Sequence, residues 1–151
     1  MSDTLATPFT AQEIRESSPL GLTMRSRVER PGAAALVRVT RYAEVDAEGA
    51  VRESWTETLD AQRLSEPERE RTTWIELQQH AAFPSATTVC ESDDLDLAIG
   101  RVECVRYTRT EPDATWRFWF ARSLPGQPVR FEQRVNDEPV FSQTMISREI
   151  T

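Results

Sequence analysis

The run Trp116-Arg117-Phe118-Trp119-Phe120 constrains the fold of this chain more than any other segment. Side chains of an extended strand alternate between two faces, so Trp116, Phe118 and Phe120 fall together on one side. Trp119 and Ala121 make the other side partly apolar as well. A strand that is apolar on both faces belongs in the middle of a sheet and needs cover on each side. Core packing against a helix satisfies that need. An aromatic wall facing a pocket satisfies it too, and Trp74, Phe131 and Trp55 are the further aromatics such a wall could draw on.

The flanking sequence supplies strands. Leu22, Met24, Ser26 and Val28 alternate onto one face, and Pro31-Gly32 makes a turn. A second strand, Leu36 to Val45, places Val37, Val39, Ala43 and Val45 together. Asp46-Ala47-Glu48-Gly49 closes a hairpin, with Gly49 available for positive φ, and residues 50–59 return with Val51, Trp55 and Leu59 on one side. The charged stretch Glu66-Pro67-Glu68-Arg69-Glu70-Arg71 reads as a linker. Beyond residue 86 the segments Ala86–Asp93, Arg101–Arg109, Trp116–Arg122, Pro128–Val135 and Val140–Ile150 read as strands. Leu124-Pro125-Gly126-Gln127-Pro128 suits a type II turn and Asn136-Asp137 a tight hairpin.

Two helices interrupt this pattern. Thr10-Ala11-Gln12-Glu13 is a capping box with Phe9 and Ile14 in staple positions, and Pro19 ends the helix. Thr73-Trp74-Ile75-Glu76 is a second box, opening a helix that stops before Pro84 and gathers Trp74, Ile75, Leu77, Ala81 and Ala82 into an apolar stripe. The expected fold is α+β: a large antiparallel sheet of about eight strands curved around one amphipathic helix, plus a short N-terminal helix. Residues 1–8 read as a loose tail and 9–151 as a single domain. A chain of 151 residues can bury a sufficient core without disulfides or metal.

Composition narrows the chemistry. A net charge of −7 argues against nucleic acid, which demands clustered positive charge, and against an anionic membrane surface. All 18 basic residues are arginine. Without lysine there is no Schiff base, pyridoxal phosphate anchor or P-loop lysine. One histidine, His80, and two cysteines, Cys90 and Cys104, fall short of a closed zinc site, so neither a metal nor a cofactor is expected. No apolar run approaches the roughly 20 residues of a membrane span, and Met1-Ser2-Asp3-Thr4-Leu5 lacks a basic patch and h-region. The expectation is a soluble cytoplasmic domain.

Each remaining candidate has a plain structural reading. His80 follows Glu76 by one helical turn, the arrangement of an oriented general base or of an ordinary helix-boundary histidine. Glu91, Asp93, Asp94 and Asp96 could hold a hard cation, or form a solvated edge that deters aggregation. Cys90 and Cys104 read as buried free thiols. Arg117, Arg130 and Arg134 could grip an anion, with pairing to Glu132 as the blander use.

The stretch Gly100-Arg101-Val102-Glu103-Cys104-Val105-Arg106-Tyr107, with Phe118-Trp119-Phe120 and Leu124-Pro125-Gly126-Gln127-Pro128-Val129, resembles uncharacterised bacterial domains. Those in turn resemble the lipoprotein-carrier-like half-barrel superfamily. The resemblance covers about a quarter of the chain and implies a half-barrel-like sheet wrapped around helices, with a face able to hold acyl chains. The functional expectation is a non-catalytic domain binding a small apolar or amphipathic ligand between sheet and helix, with Trp74, Trp116, Phe118, Phe120 and Phe131 as the ligand-binding residues. The alternatives are a structural or protein-interaction domain acting as a homodimer, and a hydrolase-like enzyme using His80 with Glu76.

Overall fold

The computed structural model describes residues 3–151. A short helix α1 (Ala11–Glu16) precedes a meander of four strands, β1 (Leu22–Glu29), β2 (Leu36–Val45), β3 (Gly49–Glu57) and β4 (Glu68–Thr73). Helix α2 (Trp74–Gln79) leads into β5 (Thr88–Ser92), a small hairpin β6 (Leu95–Leu97) and β7 (Gly100–Val102), and then β8 (Cys104–Thr110), β9 (Thr115–Ala121), β10 (Arg130–Val135) and β11 (Glu138–Ile150). Nine strands make one open antiparallel sheet in the order β4-β3-β2-β1-β11-β10-β9-β8-β5. The join between the two meanders is β1 against β11, running from Leu22↔Ile150 to Glu29↔Ser142 with a bulge at Arg25/Ser26.

The caps and turns explain the element boundaries. Both capping boxes form: Thr10 accepts from the Glu13 N–H and Thr73 from the Glu76 N–H, while each glutamate accepts from its cap's backbone N–H. Phe9 and Ile14 are both buried, as the staple requires. Asn136 and Asp137 adopt φ of 52° and 63°, the left-handed pair of a type I′ turn between β10 and β11. Asp46 builds the β2–β3 turn by accepting from the N–H groups of Glu48 and Gly49. Gly49 is needed there for a different reason from the expected positive φ. A Cβ on it would stand 2.4 Å from the Thr72 carbonyl oxygen, so only glycine lets β4 approach.

Several expectations change. The charged stretch at 66–71 is largely strand β4, an edge whose charges find partners across the sheet. Arg69 pairs with Glu44 and Glu53, and Arg71 grips Asp46 through two hydrogen bonds of 2.8 and 3.0 Å. Helix α2 is only six residues long. Trp74 and Ala81 are buried, but Ile75 is 62% exposed, so the single amphipathic stripe does not form as expected. Of the loose tail, residues 1–2 lie outside the described residues. Asp3 to Ala6, by contrast, are tied in: Leu5 donates to the Phe83 carbonyl, Ser85 donates to that of Asp3, and Tyr107 donates its hydroxyl to that of Ala6.

The aromatic strand is β9. It lies inside the sheet with a neighbour on each flank, although third from the β5 edge and not at the centre. Cover on both faces is present. Phe118 and Phe120 pack on Phe83, and Phe120 also meets Phe9 edge-on. On the other face Trp119, Ala121 and Cys104 share an apolar cluster with Val102, Leu95 and Leu97 of the β6–β7 hairpin. The Trp119 indole N–H donates to Asp93 at 2.8 Å, which satisfies the polar end of a buried ring.

Candidate functional site

Register decides which side chains meet on the helix-bearing face. Tyr107, Phe118 and Phe131 stand opposite one another on β8, β9 and β10, and Tyr42 stands opposite Arg52 on β2 and β3. Phe118 stacks on Trp116 at 6.0 Å and on Phe131 at 5.9 Å, and Phe131 continues to Phe141 at 5.4 Å. Phe83, carried by the segment after α2, closes over Phe118 with centroids 4.9 Å apart. The two helices are short and cover only part of this face. Gln78 of α2 fixes α1 beside it by accepting from the Ala11 N–H and donating to the Thr7 hydroxyl.

What the helices leave uncovered is a cavity of about 210 Å³. Its walls are Phe118, Phe120 and Phe131 from the sheet, Ile14, Leu77, Ala81 and Phe83 from the helical layer, and Gly126 to Pro128 from the β9–β10 loop; Tyr42, Arg52 and His80 complete the lining. Gly126 holds φ at 142°, a backbone state that favours glycine.

Of the residues expected to bind a ligand, Phe118, Phe120 and Phe131 line this cavity. Trp74 and Trp116 do not. Trp74 is buried as an anchor: its ring stacks on Tyr42 at 6.3 Å and its indole N–H donates to the Asp46 carbonyl at 2.9 Å. Trp116 supports Phe118 from the side. Trp55 lies on the opposite face of the sheet with Val37, Val39 and Ile146, under the Arg63 guanidinium and donating to Glu57. Tyr42, Phe83 and Arg52 were missed by sequence reasoning. An apolar residue next to Pro84 was the only signal for Phe83, and none pointed to the other two.

The other candidates have local partners. Glu76 spends its carboxylate on the Thr73 N–H and hydroxyl, and His80 is an exposed C-cap, the helix-boundary reading of the two offered by the sequence. Asp93 and Glu91 accept from Arg106, Asp96 accepts from Arg101, and Asp94 accepts from the Cys104 N–H. Among the described residues no group of three or more His, Cys, Asp or Glu is arranged to hold a metal. Arg117, Arg130 and Arg134 converge on Glu132 at 3.2, 3.4 and 3.6 Å, the blander of their two readings. Cys104 is buried, and burial first, then the nearby Asp94 and Asp93 charges, push its thiol up to about 11. Cys90 is exposed, contrary to expectation, because it sits on the edge strand β5. Burial likewise lifts the Tyr107 phenol to about 12, with Cys90 a lesser cause.

An open, nine-stranded antiparallel sheet with two short helices and a small apolar cavity beside them makes this an α+β fold. Among solved structures it is similar to the crystal structure of MucB, with a TM-score of 0.61 and 9% sequence identity. The match covers 92% of this chain and 56% of that one, so this chain spans little more than half of MucB's length. At such low identity this likeness is a statement about fold alone. No family model matches the chain, and neither does any curated protein sequence. No helix among the described residues is long and apolar enough to cross a membrane.

Proposed function

We propose that this is a non-catalytic binding domain whose cavity, between the aromatic wall and the two helices, takes a small apolar or amphipathic ligand. One observation carries the reading: the core of a well-packed domain leaves few voids, yet about 210 Å³ stays open beside Phe118, Phe120 and Phe131. An apolar cavity of roughly 150 Å³ is enough to hold a benzene ring. The size therefore suits one ring or a short chain better than a complete lipid.

Native mass spectrometry and displacement of a solvatochromic fatty-acid probe test the proposal. Saturable binding is expected in the wild type, and Ala81→Phe, which fills the cavity from the helical side, is expected to abolish it without lowering the melting temperature by more than a few degrees. Equal probe binding by both proteins, or none by the wild type, would remove the proposal.

A second reading is supported by strand β5. It ends the sheet with an open edge, and Val89 on it is 57% exposed. Such an edge can pair with a second copy of the chain. Sedimentation velocity is expected to show a mass that rises between low and high micromolar concentration and stays monomeric in Val89→Lys. A strict monomer throughout would contradict this reading.

A further inference from the structure

The cavity's lining has an electrostatic bias at odds with the molecule as a whole. The chain carries 25 acidic residues against 18 basic ones, yet none of the residues around the cavity is an aspartate or glutamate. The fixed cation in that lining is Arg52. Among the described residues fourteen ion pairs join arginines to carboxylates, but Arg52 takes part in none of them.

Glu70 stands opposite Arg52 in the β3–β4 register and still makes no ion pair with it. The guanidinium reaches only the Thr72 hydroxyl, at 3.4 Å, and its buried Nε has no hydrogen-bond partner. A buried donor without an acceptor is costly, and a guanidinium offers a planar fork that matches a carboxylate or phosphate. Tyr42, which faces Arg52 across the β2–β3 pair, joins this polar end to the aromatic wall.

We infer that the ligand is a small amphipathic anion, its oxyanion received by Arg52 and its ring or short chain laid against Phe118 and Phe131. This rests on the cavity being a ligand site and adds the class of ligand. The protein's acidity then acts as a filter: an anion approaches a repelling surface and is retained only where Arg52 is reached.

The test is isothermal titration calorimetry with 4-phenylbutyrate, 4-phenylbutyl phosphate and the neutral 4-phenylbutanol. At least one anion is expected to bind the wild type about tenfold or more tightly than the alcohol, the size of a charge-assisted hydrogen bond. Arg52→Gln is expected to bring the anions down to the affinity of the alcohol in the same variant, and Arg52→Lys is expected to keep part of the preference. The carboxylate and phosphate arms show which oxyanion the site takes. Equal affinity for alcohol and anions, or a preference retained in Arg52→Gln, would overturn the inference while leaving the binding proposal standing. Failure of all three compounds to bind would overturn both.

Discussion

Glu132 shows how this chain treats charge at the level of single residues. Its side chain is 7% exposed, and three arginines around it are each about a third exposed. Removing the carboxylate leaves these cations facing one another over a half-dry surface. Glu132→Gln is expected to cost about 1–3 kcal/mol, below the range for fully buried pairs because water still reaches the arginines. Urea unfolding measures this, and an unchanged midpoint would contradict it. The two thiols give a second test. Alkylation of the native protein is expected to modify Cys90 readily and Cys104 only on unfolding. The Cys104 thiol titrates near 11 when folded against an ordinary 9, so the unfolded chain releases that proton first as pH rises. Its contribution is therefore complete below pH 9 and lost as pH climbs toward 11, and the melting temperature is expected to fall across that window more steeply than in Cys104→Ala. Tyr107 acts in the same direction at higher pH.

Elements are set by caps, turns and close approaches of backbone. Gly49→Ala is expected to destabilise by about 1–3 kcal/mol and to speed amide exchange along β4, since the added methyl meets the Thr72 carbonyl and the Thr73 Cα. An exchange pattern unchanged in β4 would refute that reading of the glycine. The capping boxes and the Asn136-Asp137 turn were legible in the sequence because their chemistry is local: a few side chains and adjacent N–H groups decide them. Strand β4 was not legible. Its residues look like a solvated linker until Glu44, Asp46 and Glu53 from the neighbouring hairpin are brought alongside. Helix α2 was overextended for a related reason. Its apolar residues beyond Gln79 pack from a non-helical segment in which Phe83 hydrogen-bonds to Leu5, a contact between parts of the chain far apart in sequence.

At the scale of the whole molecule, β1 to β3, β8 to β11 and the double cover of the aromatic strand could be read from alternation alone. The pairing of β1 with β11 could not, because alternation gives each strand a buried face and no partner. The site was legible to the same degree. Phe118 and Phe120 share a face by period and Phe131 joins them through register, whereas Trp74 and Trp116 were assigned to the wall because nothing in sequence separates a ring that lines a cavity from one that props its neighbour. Arg52 entered the lining only through the fold, which sets it opposite Tyr42. Amide shifts on titration with 4-phenylbutanol decide whether this cavity is a binding site. Saturable shifts are expected around Tyr42, Ala81, Phe118, Gly126 and Phe131, with Val37, Val39 and Trp55 on the opposite face unmoved. Shifts gathered on that opposite face, or no saturable shifts at all, would contradict the claim.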